Sequence, residues 1–163
     1  MKLQRCTVTT PLGPLILLGS ERTLIAVAWN DGFERTERHL RRHMGQWTSA
    51  EVAELPGWSS AIHDYMEGTI DAFRGLPLAP PGTPFQRKVW DALLTIPIGQ
   101  TWSYAQLAKS IGQPLAFRAV ANANGRNPIP IVIPCHRVIA ADGSLGGFSC
   151  GLHRKEWLLE HEG

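Results

Sequence analysis

Residues 103–123, SYAQLAKSIGQPLAFRAVANA, decide how this chain is built. Ser103 is a good N-cap in front of a helical run from Tyr104 to Ile111 that Gly112 ends, and Pro114 opens a second run carrying Leu115, Ala116, Ala119, Val120 and Ala123. Two short helices around a glycine turn are a helix-turn-helix pattern. The second helix is rich in alanine, and small side chains let a backbone come close to another surface. Tight core packing would use that property, and so would entry into a narrow groove. Arg118, among the alanines, adds weight to the groove, because it can project from the helix as a finger.

Working outward, Thr83 caps a helix with Pro84 at its first position, and Phe85, Val89, Trp90, Leu93 and Leu94 form its apolar stripe, which stops before Pro97 and Gly99. After Asn127-Pro128 the apolar run Ile129 to Ile133 reads as a buried strand, with Pro130 marking an edge or bulge, and it delivers Cys135 at its end. Gly143, Gly146, Gly147 and Gly151 make a tightly turned loop through Cys150, and Leu152 to His161 is a terminal helix. Towards the N-terminus, Arg5–Thr10, Gly13–Leu18 and Leu24–Trp29 alternate with turns and predict a small antiparallel sheet. Glu34–His43 and Trp58–Phe73 predict helices. The chain is therefore of the α/β class: an N-terminal α/β domain over 1–76, a proline-rich linker over 77–84, and a mainly helical domain with the helix-turn-helix over 85–163.

Composition is that of a globular protein, with 44% hydrophobic and 18% charged residues, and no apolar run approaches the roughly 20 residues that a membrane helix needs. Met1 to Thr10 lack the apolar core of a signal peptide, so a cytoplasmic location is expected, with no membrane partner. In a reducing compartment Cys6, Cys135 and Cys150 are thiols, and their spacing does not suit a structural metal. The net charge of +2 divides unevenly: residues 1–83 carry 8 basic and 9 acidic groups, residues 84–163 carry 8 and 5. No acidic residue occurs from Ala92 to Ala141, while Lys109, Arg118, Arg126 and Arg137 do. Such a face meets a polyanion without self-repulsion and would bind it in a salt-sensitive way.

The chemistry centres on Pro134-Cys135-His136-Arg137-Val138. A cysteine acts as thiolate, and here an imidazole and a guanidinium stand next to it in the sequence. Adjacent residues on a strand face opposite ways, so the pair alone is equally a buried cysteine beside an unrelated histidine. The surrounding sequence lifts it: a basic helix-turn-helix upstream, a glycine-rich loop downstream, and the cysteine between them.

These residues, with Asn127-Pro128 before them and Lys155-Glu156-Trp157-Leu158-Leu159 after, strongly resemble the O6-alkylguanine-DNA alkyltransferases. The match runs from about Pro84 to Gly163 and takes in Phe85-Gln86, Val89-Trp90, Ser103-Tyr104, Arg118-Ala119-Val120 and His161-Glu162-Gly163, in the family's order. The N-terminal part matches loosely, mainly through Thr10 to Leu15, and by resemblance is ribonuclease H-like.

The resemblance implies a direct-reversal repair protein, a single-turnover methyltransferase that takes an alkyl group from O6-alkylguanine, and from O4-alkylthymine, in double-stranded DNA. Cys135 is the implied acceptor, linked through water to His136, which Glu162 holds; Tyr104 donates a proton to the departing base, and Asn127 braces the cysteine segment. Ser149 is the implied contact on the O6 side of the base, with the main-chain carbonyls of Cys135 and Val138 taking its exocyclic amine, and Pro130 and Cys150 complete the base pocket. Arg118 is the finger that fills the gap left by a flipped nucleotide, while Ser103, Ala119 and Ala123 meet the minor groove. No cofactor, no metal and no obligate protein partner are implied, and the protein is expected to be a monomer, cooperative or not on DNA. Cys150 departs from the family, which usually has glycine there, and a side chain at that position is expected to narrow the alkyl pocket or stiffen the loop. Three other classes compete: a non-reactive lesion binder, which would lack the cysteine; a helix-turn-helix regulator, which would need a dimerisation helix; and a cysteine hydrolase, which would need an oxyanion site.

Overall fold

The computed structural model describes residues 1–163, and the chain divides into two compact units, Met1–Pro81 and Gly82–Gly163. In the first, β1 (Lys2–Thr10), β2 (Gly13–Ser20) and β3 (Thr23–Trp29) form an antiparallel meander. A fourth strand, β4 (Thr48–Glu51), pairs parallel to β1, so the sheet is mixed, in the order β3-β2-β1-β4. The runs Leu15 to Leu18 and Leu24 to Trp29 are buried throughout because helices cover both faces of the sheet. On one face α1 (Phe33–Met44) packs Leu40 among Leu3, Leu18 and Ala26. On the other lies α2 (Trp58–Met66): Cys6 is on the opposite side of β1 from Leu3, and its Sγ is 3.4 Å from Ser59 Oγ.

The helix expected to reach Phe73 ends at Met66, because Gly68 takes a φ of 117° and turns the chain; Phe73 then folds back to stack on Tyr65 at 5.1 Å. Gly19 faces a bulge in β3, where Ile25 is the extra residue between Leu24 and Ala26, and a Cβ at Gly19 would lie 2.6 Å from Leu55 Cδ2 and 2.7 Å from the Thr23 carbonyl oxygen, so no larger residue fits. Part of the proline-rich stretch is tied down rather than free. Leu24 N donates to Pro77 O at 3.1 Å and Ala79 N donates to Leu24 O at 2.9 Å.

The second unit opens with α3 (Pro84–Leu93), whose capping box is complete: Gln86 N donates to Thr83 Oγ1 at 3.1 Å and Thr83 N donates to Gln86 Oε1 at 2.9 Å. Replacing Thr83 by Ala removes one acceptor for an orphan amide. We expect a loss of about 1 kcal/mol, read as a thermal midpoint lower by about 2–4 °C; an unchanged midpoint would show that the cap contributes nothing. Ser103 and Gln106 repeat the box at the start of α4 (Tyr104–Ser110). The next helix, α5 (Phe117–Gly125), begins later than Pro114, since Ala116 N closes a turn onto Gln113 O at 2.9 Å. It packs on α3 through Trp90, whose Nε1 donates to Ala123 O at 2.8 Å.

Ile129 to Ile133 is not a strand. It is wholly buried, as expected, but it turns on itself, with Ile133 N donating to Ile129 O at 2.9 Å and Ile131 at a φ of 75°. Pro128, Pro130 and Pro134 cannot donate to a ladder, and the Asn127 side chain satisfies the segment instead. Ile129 N donates to Asn127 Oδ1 at 2.9 Å and Asn127 Nδ2 donates to Ile133 O at 2.8 Å. A short parallel pair, β5 (Trp102–Ser103) with β6 (Val138–Ile139), and the terminal α6 (Leu152–Glu162) complete the unit.

Candidate active site

Cys135 opens a 3-10 turn, Cys135–Arg137, entered through Pro134, with Cys135 N donating to Ile133 O at 2.8 Å. The turn, unlike a strand, lets the consecutive Cys135, His136 and Arg137 serve one site. Cys135 is 4% exposed and lines a cavity of about 360 Å³ together with Tyr104, Ala121, Asn124, Gly125, Gly147, Phe148 and Ser149. A cavity that joins the start of α4, one face of α5 and the glycine loop places a nucleophile within reach of a ligand entering along α5.

Behind Cys135 lies a buried ionic cluster. His136 Nε2 is 2.8 Å from Glu162 Oε2, and Arg137 grips the same carboxylate through Nε at 2.8 Å to Oε1 and Nη2 at 3.0 Å to Oε2. Arg137 Nη1 also donates to Ile96 O at 2.9 Å. The carboxylate is thus pinned between guanidinium and imidazole, and the imidazole proton belongs on Nε2, where it donates to Glu162. His136 Nδ1, buried and without a hydrogen-bond partner in the protein, keeps its lone pair. Burial lowers the His136 pKa against the opposing pull of Glu162, which keeps the ring neutral and the Nδ1 lone pair open to a proton.

Burial and the neighbouring Cys150 thiol push the Cys135 pKa up to about 12, while Asn127 and Lys155 pull it back. The resting group is a thiol, and proton removal is part of any reaction it undergoes. Lys155 is fully buried on α6, where Nζ donates to Val138 O at 2.6 Å and Gly147 O at 3.1 Å. Burial lowers its pKa and Cys135 opposes that shift. The Tyr104 phenol is raised by burial and by Cys135, against the amide of Gly147, so it holds its proton as a donor.

Several positions expected in the site lie elsewhere. Ala123 cannot meet DNA, since it is fully buried under Trp90. Pro130 and Val138 are buried outside the cavity wall, and the Val138 carbonyl already accepts from Lys155. Cys150 is half-buried and outside the cavity wall, where Ser149 is the residue that lines it. Ser103 is half-buried and spends its hydroxyl on the α4 cap, whereas Arg118 and Ala119 are exposed on α5. Arg137 leaves the basic face, being 8% exposed and committed to Glu162.

The family model for 6-O-methylguanine DNA methyltransferase, DNA binding domain, matches residues 84–163, and that for the ribonuclease-like domain of the same proteins matches residues 5–80. The chain belongs to the 6-O-methylguanine DNA methyltransferase family. The methylated-DNA--protein-cysteine methyltransferase of Shigella flexneri is 44% identical over 100% of this chain and 97% of its own, and that of Methanosarcina barkeri is 43% identical over 95% and 94%. The crystal structure of Mycobacterium tuberculosis O6-methylguanine methyltransferase superposes with a TM-score of 0.82 at 40% identity, covering 98% of this chain and 92% of that one. Mycobacterium tuberculosis OGT in complex with DNA gives 0.77 at the same identity and coverage.

Within this member of the 6-O-methylguanine DNA methyltransferase family, sequence reasoning set the Arg137 guanidinium beside Cys135 but did not foresee its pairing with Glu162, and it overlooked Lys155 and Asn124 as parts of the site. Asn124 is 5% exposed, lines the cavity, and its Oδ1 has no hydrogen-bond partner in the protein. Helical spacing carries the one available signal, because Ala121, Asn124 and Gly125 share a face of α5.

Proposed function

We propose that this protein repairs DNA by direct reversal, moving the alkyl group from O6-alkylguanine in duplex DNA onto Cys135, once per chain. The observation that carries this reading is a buried cysteine on a cavity wall with a protonated tyrosine, backed by the His136–Glu162–Arg137 cluster. His136 Nδ1 accepts the thiol proton through a water while Glu162 fixes the tautomer. The Cys135 sulfur attacks the saturated carbon in line, an S–C bond forms and the C–O6 bond breaks. The electron pair goes to the guanine, which Tyr104 helps by donating its phenolic proton. The products are an S-alkylcysteine and an unmodified guanine. A thioether does not hydrolyse under cellular conditions, so the protein is consumed.

A stacked base cannot bring its alkyl carbon to a buried sulfur, so the nucleotide leaves the duplex at a cost of a few kcal/mol. In this reading Arg118 occupies the gap with α5 in the minor groove, which its exposure near the start of the helix that lines the cavity supports. The same reading makes the protein a cytoplasmic monomer that needs neither cofactor nor protein partner. No helix is long and apolar enough to cross a membrane.

The test is the intact mass of the protein after incubation with a duplex carrying one O6-methylguanine. A gain of one methyl in place of hydrogen, saturating at one per chain and mapping to the peptide that contains Cys135, is expected. Tight binding without mass gain would replace this reading with lesion recognition.

A further inference from the structure

At the start of α5 the fold leaves one large apolar side chain almost wholly exposed and another half exposed. Leu115 is 92% exposed and Phe117 49%, on either side of the turn residue Ala116 and directly before exposed Arg118. Isolated exposed apolar residues are ordinary on a protein surface. These two are not scattered, because they stand together at the entry to the helix that lines the reactive cavity. Phe117 and Arg118 precede Ala121 by four and three positions, and Ala121 precedes Asn124 and Gly125 by the same intervals, so all share one helical face. Along the helix axis Phe117 is about 6 Å from Ala121, which is less than two base-pair steps of about 3.4 Å.

What this face meets is indicated by charge. No acidic residue occurs from Ala92 to Ala141, and Lys109, Arg118 and Arg126 are exposed there. A large aromatic ring beside a cation, on a segment without acidic residues, matches the way minor-groove proteins insert an apolar side chain between base steps and widen them. We propose that Phe117, with Leu115 against the groove wall beside it, is an apolar wedge that unstacks the base step next to the nucleotide entering the cavity. Arg118 then fills the vacated position while the Phe117 ring stacks on the neighbouring base. This inference rests on the reading that α5 engages duplex DNA. It goes beyond that reading by assigning base extrusion to residues other than the arginine.

The test compares transfer from a duplex carrying one O6-methylguanine with transfer from the free base O6-methylguanine, for the wild type, Phe117→Ala, Leu115→Ala/Phe117→Ala and Phe117→Trp. A 2-aminopurine beside the lesion reports unstacking by its fluorescence. Loss of one base–aromatic stack predicts a duplex rate lower by about tenfold or more in Phe117→Ala, with a smaller fluorescence rise. The free-base rate should match the wild type, since that reaction needs no extrusion, and Phe117→Trp should restore the duplex rate. A duplex rate within twofold of the wild type would overturn the wedge. So would a parallel fall of both rates, which means a packing role, or a wild-type dimer in sedimentation that the double variant dissolves, which means that a second copy covers the face. A wild type that reacts with the free base but never with the duplex would instead remove the underlying DNA reading, and the wedge with it.

Discussion

Replacing Glu162 by Gln is expected to slow alkyl transfer by a factor on the order of 10²–10⁴, the usual worth of a positioned general base. The carboxylate accepts from His136 Nε2 at 2.8 Å, which leaves Nδ1 as the basic nitrogen. Arg137 binds both carboxylate oxygens, so in the variant the amide carbonyl turns to the guanidinium and the amide N–H groups face the imidazole. That orientation makes Nε2 the acceptor and moves the ring proton to Nδ1, where it blocks acceptance of the thiol proton. The same change leaves the buried Arg137 charge without its counter-ion, at a cost of about 3–5 kcal/mol in stability. The second-order rate constant for methyl transfer and the thermal midpoint are measured together at a temperature where the variant is folded. A rate within threefold of the wild type would remove His136 and Glu162 from the proton path.

The pH response follows from the same cluster. The His136 pKa is lowered in the fold, so as pH falls below about 6.5 the unfolded chain takes up a proton that the folded one refuses. Wild-type stability therefore declines on acidification from that point, while the base remains neutral and competent to lower pH than an exposed imidazole would.

Elements set by local chemistry were legible in the sequence. The capping boxes at Thr83 and Ser103, the apolar runs of β2 and β3 and the turn at Gly112 announce themselves within a few residues. What sequence reading missed was set by partners far along the chain. β4 is a short, mostly exposed edge segment held by pairing with β1, and TSAE carries no alternation to reveal it. The run Ile129 to Ile133 has the composition of a strand, and only its flanking prolines and Asn127 make it a set of turns. Arg137 and Lys155 look like surface charges because nothing beside them shows that a carboxylate 25 residues on, or two main-chain carbonyls, will take them inside. The Cys-His-Arg-Val motif identifies the nucleophile, but the cluster that shapes its reactivity exists only in three dimensions.

Lys155→Met is expected to slow reaction at Cys135 by about tenfold for each unit by which the thiol pKa rises further. With that pKa pushed up to about 12, the resting group at neutral pH is a thiol, so any charge that favours the anion acts directly on the rate. Lys155 supplies such a charge from a fully buried position, held by Val138 O and Gly147 O. Methionine has a similar length and no charge, and it leaves both carbonyls with one partner fewer, so a loss of stability accompanies the electrostatic effect. The two effects separate in the pH profile of Cys135 alkylation by iodoacetamide: lost electrostatic support moves the profile to higher pH, whereas loosened packing lowers the thermal midpoint without moving it. Stability provides a second signature. The Lys155 pKa is lowered in the fold, so this group contributes stability that grows as pH rises towards about 10.5, where the unfolded chain releases the same proton; the raised Cys135 and Tyr104 groups oppose it in both proteins, so the signature is a wild-type advantage over the methionine variant that grows with pH. An unshifted alkylation profile would reduce Lys155 to a structural clamp between β6 and the glycine loop. A shifted one makes it the electrostatic counterpart of His136, with the lysine stabilising the anion that the imidazole creates.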